Sequence, residues 1–584
     1  MGKSQRQTQK QPKTNYWLDL LLVIVLLTIG LGVRWLYVQA VVFPPLDDPA
    51  FYLTSAQNLV SGRGLVVDVL WSYQVHFSGV THPSHEHWMP LTTGLIAAAF
   101  ALQRAAPAVL ESTLRAGQLP GLILGGLLVP LTYVFGRRAL PKRKEPGLSL
   151  SKGKEPGLSL SKGNRWVALG AALLVAANAT MSYQSASADS SAPYALLAAW
   201  ALAVAVRRPG DEGSYLGTGL LVALAYLTRA DGLLLLLAIP LAWWLLPVPA
   251  RPLVELPDKP AAKLAWDYWP REKGSEEAWR HTIGPSLSNV LDMAVAFILL
   301  VAPWLGRNYL AFGTLLPGSV LSQAWLNDYV DTFNYLAHPT WQTLLAQGWP
   351  AILAQRGQAL LHNGGVFLLS TFPWGLLALP GLWLLRREWA FFPPLVYSLL
   401  LFLVTAILFP TSSVSGTFYH SLGAVVPFLA LAAVYAVQQG AQRLGKSRKR
   451  VASVFAAVVA GLLLLAGGQV ALALPTVAER HQAEKGQFEA AAGWLAEHGA
   501  PDDVVMTSQP YTLHYASGQP CIVLPGNEAP DAAWEAAQRY GAQFLVITQS
   551  FGQYPQVLHE RPDPRFRPLE HLESTEIYEI SLEP

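Results

Sequence analysis

The chain has 584 residues, 52% of them apolar and only 14% charged, against about 25% charged in an ordinary soluble domain. That composition excludes a soluble enzyme as the working reading, because the apolar residues gather in runs of 17 to 25, each able to cross roughly 30 Å of hydrocarbon as a helix. The single cysteine, Cys521, excludes an intramolecular disulfide framework and a cysteine-only metal site, and the net charge of +3 hides an acidic tail, with six Lys/Arg against sixteen Asp/Glu from Pro475 onward, which argues against nucleic acid as a partner.

Residues 1–14 form a basic tail (Lys3, Arg6, Lys10, Lys13) ahead of an apolar run with no small-residue cleavage site behind it, so the run reads as a retained anchor. Cations recur in the stretch from Arg137 to Arg165, at Arg207-Arg208, at Arg386-Arg387 and from Arg443 to Arg450. The positive-inside rule puts these segments and the N-terminus in the cytoplasm. Segments 42–88, 184–190, 311–362 and 411–418 hold almost no Lys or Arg and belong on the other side. Eleven spans satisfy this alternation, near residues 17–42, 112–136, 165–182, 191–207, 214–228, 230–247, 286–306, 364–385, 390–410, 419–440 and 451–474. The apolar residues 90–108 are placed as a membrane-dipping or juxtamembrane helix, and a count of thirteen stays open around residues 90–136. The chain then divides into a cytoplasmic tail (1–14), a membrane part (15–474) and an extracytoplasmic region (475–584). The membrane part carries a first outer loop (43–90), cytoplasmic loops (137–164 and 248–285) and a large outer loop (311–362). The expectation is a polytopic α-helical protein of the plasma membrane. A decapeptide, Lys144 to Gly153, is repeated as Lys154 to Gly163; it is too short and polar for a solenoid unit and reads as an insertion without a catalytic role.

After Pro475 short apolar strands alternate with amphipathic helices: a helix over 488–498, a strand over 504–507, a short helix over 511–516, a strand over 522–524, a helix over 529–540 and a strand over 544–548. Such alternation predicts a small α/β domain with a parallel sheet. Gly518, Gly526 and Gly541 do not make a Gly-rich phosphate loop.

Chemistry concentrates at the outer ends of the spans. The first outer loop opens with Asp47-Asp48-Pro49 and runs through Tyr52 to a Gly62–Gly64 turn. Asp48 before Pro49 suits a helix N-cap, whereas a second carboxylate at Asp47 gains little as a cap. Further on come His82-Pro83 and Trp88-Met89-Pro90-Leu91, then Leu227 to Gly232 with Arg229 and Asp231. Pro303-Trp304, Arg307-Asn308-Tyr309 and Tyr419-His420 follow. Arg229 and Asp231 at a span end read either as functional groups or as an interfacial ion pair. His420 reads as a functional ring or as a capping one. Asp189, in the turn between two spans, is either a cavity-facing acid or a loop acid. The cluster His82, His85, Glu86, His87 fits neither a closed zinc spacing nor HExxH, so no cofactor is expected and a divalent metal is the lesser reading. Trp325, Tyr329, Tyr335 and Trp341 on the large outer loop could stack a sugar ring or belt the interface.

Taken in order, these motifs resemble the C-type (GT-C) membrane glycosyltransferases, which take sugar from a polyprenyl-phosphate carrier and include protein O-mannosyltransferases and the aminoarabinose transferase of lipid A. The resemblance covers roughly residues 15 to 440 and rests on the joint order of motifs. It implies that Asp47 is the catalytic base, with Asp48 beside it, and that Tyr52, His82, Asp189, Arg229, Asp231, Arg307, Tyr419 and His420 face substrate. Arg229 and His420 are then the candidates to meet the departing phosphate. It also implies as partners a polyprenyl-phosphate sugar donor, a lipid, glycan or protein acceptor, and membrane lipids. Two places depart from the family pattern: no cation lies in 415–418, and Ala192 stands where relatives carry an acid, the nearest being Asp189. The competing expectations are a transporter or flippase of a lipid-linked precursor, against which the chain shows no matched halves, and an inactive scaffold relative.

Overall fold

The structure is a computed structural model that describes residues 16–105, 112–140, 161–205, 215–245, 275–318, 322–386, 388–445, 447–526, 528–548, 554–572 and 574–582. The basic tail, Arg207-Arg208, most of the decapeptide repeat and most of loop 248–285 lie outside them.

Helix α1 (Tyr16–Ala40) leads into α2 (Asp47–Val60), the short strands β1 (Val66–Val67), β2 (Val69–Leu70) and β3 (His82–Pro83), and α3 (Pro90–Ala105). The bundle continues through α4 (Thr113–Ala139), α5 (Ser161–Ala176), α6 (Ala179–Ala186), α7 (Ser191–Val204), α8 (Leu216–Thr228), α9 (Leu233–Leu245) and α10 (Ser275–Phe312). It closes with α11 (Trp341–Ala346), α12 (Trp349–Ser370), α13 (Gly375–Leu385), α14 (Phe392–Ile407), α15 (Pro410–Val414), α16 (Thr417–Ser421), α17 (Val426–Leu444) and α18 (Arg448–His498). Four of these, α1, α4, α10 and α18, are long and apolar enough to cross a membrane alone. Three bent pairs qualify together: α5 with α6 at 52°, α12 with α13 at 99°, and α16 with α17 at 63°. Four shorter apolar helices, α7, α8, α9 and α14, complete the set. Each of these segments overlaps one of the expected spans, but the expected span 364–385 is broken by the 99° bend between α12 and α13, and α3 forms a helix too short to count as a span.

Small residues let the helices approach, as they must where lipid offers no hydrophobic drive between them. Gly121 and Gly125 of α4 sit against Ser185, Gly126 against Leu31, and Gly381 of α13 against the backbone of Ala432 in α17. A Cβ at Gly381 would lie 2.0 Å from the Ala432 carbonyl oxygen. Two boundaries differ from expectation. Helix α12 begins at Trp349, inside the segment read as outer loop, and α18 runs unbroken through Pro475 to His498. A proline costs one helical hydrogen bond, and packing of Phe488, Ala491 and Leu495 carries the helix onward.

The C-terminal residues form β4 (Val504–Thr507), α19 (Pro510–Ser517), β5 (Cys521–Val523), α20 (Pro530–Tyr540), β6 (Ala542–Ile547), α21 (Tyr554–Glu560), β7 (Phe566–Leu572) and β8 (Thr575–Ile580). The sheet has six strands in the order β2-β5-β4-β6-β8-β7, and its edge strand β2 comes from the first outer loop, with Val69 opposite Cys521 and Leu70 opposite Ile522. The strands β5, β4 and β6 are parallel as expected, whereas the parallel edge strand β2 and the antiparallel hairpin of β8 and β7 are additions that the alternation pattern does not reveal. Alternate side chains go to opposite faces, as the pleat requires. Val505, Cys521, Val546 and Ile577 join Ala50, Phe51 and Leu53 of α2 in one core, while Met506, Ile522, Leu545 and Tyr578 meet Ala533, Ala536 and Ala537 of α20 in another.

The cation-poor segments gather at this end of the bundle. Ser72 Oγ donates to the Thr332 carbonyl (3.1 Å), Gln184 Nε2 to that of Tyr419 (2.9 Å), and Ser412 Oγ to Gln323 (3.0 Å). The Glu528 carboxylate accepts from the backbone of Leu336 (2.9 Å) and Ala337 (2.8 Å). At the other end Asp19 holds Arg137 and Arg165.

Candidate active site

Helix α2 starts in an unusual way. Leu46 at its N-cap has φ 64°, and no side chain caps the helix. The capping role read for Asp48 is therefore corrected: with Leu46 in left-handed backbone, the helix starts at Asp47 and both carboxylates turn outward to other elements. Asp48 Oδ1 accepts from Trp88 Nε1 at 3.1 Å. Asp47 Oδ1 accepts from both the backbone N–H and the hydroxyl of Thr512, each at 3.0 Å. Thr512 is the third residue of α19, so Asp47 satisfies an orphan N–H at the start of a helix 465 residues away. Burial pushes the Asp47 carboxyl up to about 7, and the neighbouring Asp48 charge adds to the rise while the Thr512 bonds oppose it. Asp48 is raised by burial too, with the Arg229 guanidinium pulling the other way.

A second strained turn presents the third acid. Ala188 has φ 56°, and a left-handed residue other than glycine costs about 1–3 kcal/mol, which packing elsewhere must hold. Asp189 follows it, buried, with Oδ1 accepting from the Ser191 N–H at 2.7 Å and Oδ2 3.7 Å from His420 Nδ1. Burial lifts its carboxyl to about 6. The same His420 nitrogen is 2.7 Å from Ser191 Oγ. Arg229, where α8 ends, donates from Nε to Asp231 Oδ2 (3.0 Å) and from Nη1 to Ser190 Oγ (3.2 Å). Ser421 Oγ donates to that Asp231 oxygen at 2.5 Å. Tyr52, on the buried side of α2, feels Asp48, Arg229 and Asp189 and touches Ser190. Tyr329 of the large outer loop feels both Asp47 and Asp48.

The fold thus brings together Asp47, Asp48, Tyr52, Asp189, Arg229, Asp231 and His420, with Tyr419 beside His420 (ring centroids 5.2 Å). It does not bring His82 and Arg307 to them. The His82 ring lies 3.8 Å from Phe77, with Nδ1 2.8 Å from the Pro83 carbonyl oxygen and Nε2 3.0 Å from that of Val69, so it sits between β3 and β2. Arg307 donates to the Leu65 carbonyl and to Asn308 Oδ1, both at 3.3 Å, and lies over the rings of Trp304 (5.1 Å) and Phe312 (5.0 Å). Among the described residues no group of three or more His, Cys, Asp or Glu is placed to hold a metal ion. Sequence reasoning missed Ser190, Ser191 and Thr512; the last lies in a region with no local motif.

The likeness to solved structures gives the fold, which is that of C-type (GT-C) membrane glycosyltransferases. Among solved structures the chain is similar to ArnT, the lipid A aminoarabinose transferase, from Cupriavidus metallidurans. Against the form bound to undecaprenyl phosphate the TM-score is 0.56 at 11% identity, covering 97% of this chain and 98% of that one. Against the apo form it is 0.53, with the same identity and coverage. An oligosaccharyltransferase from Archaeoglobus fulgidus follows at 0.47 and 12% identity, covering 91% of this chain and 69% of that one. No protein-family model and no curated protein matches the chain.

Proposed function

We propose that this protein is a membrane glycosyltransferase that moves one sugar from a polyprenyl-phosphate carrier to a hydroxyl acceptor, at the face bearing the C-terminal sheet. The observation that carries the reading is the meeting of four carboxylates, Asp47, Asp48, Asp189 and Asp231, around one arginine at the polar end of a GT-C bundle. In the reaction the acceptor oxygen attacks the anomeric carbon, the bond from that carbon to the phosphate oxygen breaks, and the hydroxyl proton goes to a carboxylate. Asp47 suits that task. Its Oδ1 is fixed by Thr512, and a carboxyl near 7 is basic enough to take the proton and is ionised in much of the population at neutral pH.

The departing phosphate needs positive charge and donors. Arg229 commits Nε and Nη1 to Asp231 and Ser190, so its plane is set and Nη2 is left for a phosphate oxygen. His420, held by Ser191, keeps Nε2 for the same purpose. Asp48 keeps Arg229 electrostatically balanced before the donor arrives. Retention of the fold with ArnT in its carrier-bound form supports a lipid-phosphate donor.

The test uses the full chain in nanodiscs with polyprenyl-phosphate sugars and mass spectrometry of the products. Release of free carrier phosphate together with a glycosylated or hydrolysed product is expected. Movement of an intact lipid-linked precursor between leaflets, with no carrier released, would replace this reading by a transporter.

A further inference from the structure

Among the described residues three positions other than glycine hold left-handed backbone: Leu46 (φ 64°), His85 (φ 70°) and Ala188 (φ 56°). Each is followed directly by a carboxylate, respectively Asp47, Glu86 and Asp189. The first and last of these acids belong to the site already described. Glu86 does not.

Glu86 is only 4% exposed, and its Oε2 has no hydrogen-bond partner. A buried polar group in that state is destabilising unless something else satisfies it. Two orphan groups stand near it: His87 Nε2 and the Tyr511 hydroxyl are both buried without a partner. Glu86 lies within electrostatic reach of His87, Tyr511 and Arg307. Arg307 does not hydrogen-bond it, because its N–H groups go to Leu65 and Asn308.

The surroundings are held in place. The strained His85 is fixed through both ring nitrogens, to Ser84 Oγ (2.6 Å) and Thr93 Oγ1 (2.8 Å). Gly318, with φ 59°, closes on the other side, where a Cβ would sit 2.2 Å from the Glu86 carbonyl oxygen. The walls are aromatic. Trp71 lies 5.1 Å from His87 and 4.8 Å from Trp88, and Trp88 lies 5.5 Å from Tyr511. Trp71, His87 and Trp88 are half-buried, whereas Glu86 and Tyr511 are buried. Trp88 also donates to Asp48, and Tyr511 precedes the Thr512 that holds Asp47, so this cluster adjoins the acid pair across one layer of side chains.

We propose that Glu86, His87 and Tyr511 form the subsite for the sugar ring, with the Glu86 carboxylate accepting hydrogen bonds from ring hydroxyls and the aromatic walls packing on the ring faces. A carboxylate with spare lone pairs, an imidazole nitrogen and a phenol between flat apolar walls match a polyol, which offers several hydroxyls and C–H faces. The assignment rests on the glycosyl-transfer reading above and names the residues that select the sugar.

The experiment measures binding of the full chain in nanodiscs to undecaprenyl phosphate alone and to the same carrier bearing glucose, mannose, galactose or 4-amino-4-deoxyarabinose. The wild type is expected to prefer at least one sugar-bearing carrier, and Glu86→Gln to lose about 10- to 100-fold of that preference while binding the bare carrier normally. Tyr511→Phe removes only an unpartnered hydroxyl, so it should fold as the wild type does, yet lose several-fold of the same preference. The preference should survive a chelator. A Glu86→Gln protein with undiminished preference, or a preference abolished by the chelator, overturns the assignment. So does a wild type that binds bare and glycosylated carriers equally. Failure to bind any carrier would instead sink the glycosyl-transfer reading itself.

Discussion

The two ends of the bundle treat their charges differently. At one end Asp19 receives Arg165 through Nε (3.0 Å) and Nη2 (3.2 Å), Arg137 through Nη2 (3.2 Å) and the Tyr133 hydroxyl, so both carboxylate oxygens are occupied by fixed partners. At the other end Asp48 and Asp189 feel only Arg229, a guanidinium already paired with Asp231, and Asp47 has neutral donors but no cation. A satisfied ion cluster ties helices together and does nothing else. An under-satisfied one, held by strained turns at Leu46 and Ala188, is positioned for something that arrives later.

The largest effect that should separate the two ends is on turnover. Asp47→Asn keeps the shape and the Thr512 contacts but cannot take a proton, so transfer should fall by roughly 10²- to 10⁴-fold while donor binding changes little. The pH behaviour sharpens this. The wild-type rate should climb as pH rises through about 7, the region to which burial lifts Asp47, and that limb should vanish in the variant. Stability runs the other way: the folded chain holds this proton more tightly than the unfolded chain does. The stabilising contribution is complete below about pH 4, the ordinary carboxylate range, and is lost as pH rises through about 7. Asp47→Asn should therefore melt above the wild type at pH 8, with the gap closing toward pH 4. Near-normal transfer by a folded Asp47→Asn protein would move the base to Asp48 or Asp189.

Next in size is Arg229→Gln, which removes the charge offered to the carrier phosphate. Donor affinity should weaken by about 10- to 100-fold, the range for a charge-assisted bond, with less change in the rate at saturation. Titration with undecaprenyl phosphate checks it, and unchanged affinity would leave Arg229 as a partner of Asp231 alone.

The opposite end supplies the contrast. Asp19→Asn should cost about 1–3 kcal/mol by leaving two arginines without their shared acceptor, while transfer per folded molecule stays at the wild-type level. Thermal denaturation in nanodiscs beside a rate measurement checks both halves. A rate loss equal to that of Asp47→Asn would erase the distinction between the two ends.

How far this contrast was legible in the sequence follows from the range of the interactions. The spans were legible because a run such as Trp17 to Val33 has no other stable setting than lipid. Asp189 and Arg229 stand out because an ionisable group beside a span is costly, and His420 stands out through the resemblance. What escaped depends on contacts between distant residues. Two residues, Val69 and Leu70, suffice to join a sheet otherwise built after residue 500, and no local pattern announces that. Asp48 read as a helix cap because Pro49 follows it, yet the φ of Leu46 shifts the helix start and frees both acids. His82 and Arg307 look like site residues by type and place, but carbonyls within reach absorb them.

Thr512 gives the smallest expected effect and the closest test of how the two parts of the polar end work together. Thr512→Val removes the hydroxyl that Asp47 accepts at 3.0 Å but keeps the backbone N–H and the side-chain volume. One neutral-donor bond to a carboxylate is worth about 1–2 kcal/mol, so docking of α19 should weaken slightly and the chain should still fold. That bond holds the Asp47 carboxyl below where burial alone would put it. Without it the titration midpoint must rise above 7, so the rising limb of the rate profile should shift to higher pH. Transfer should be several-fold slower at pH 7 and should recover toward the wild-type rate at pH 9. If Asp47 only latched the C-terminal sheet to the first loop, the variant would lose stability by the same small amount, and its rate profile would keep the wild-type midpoint.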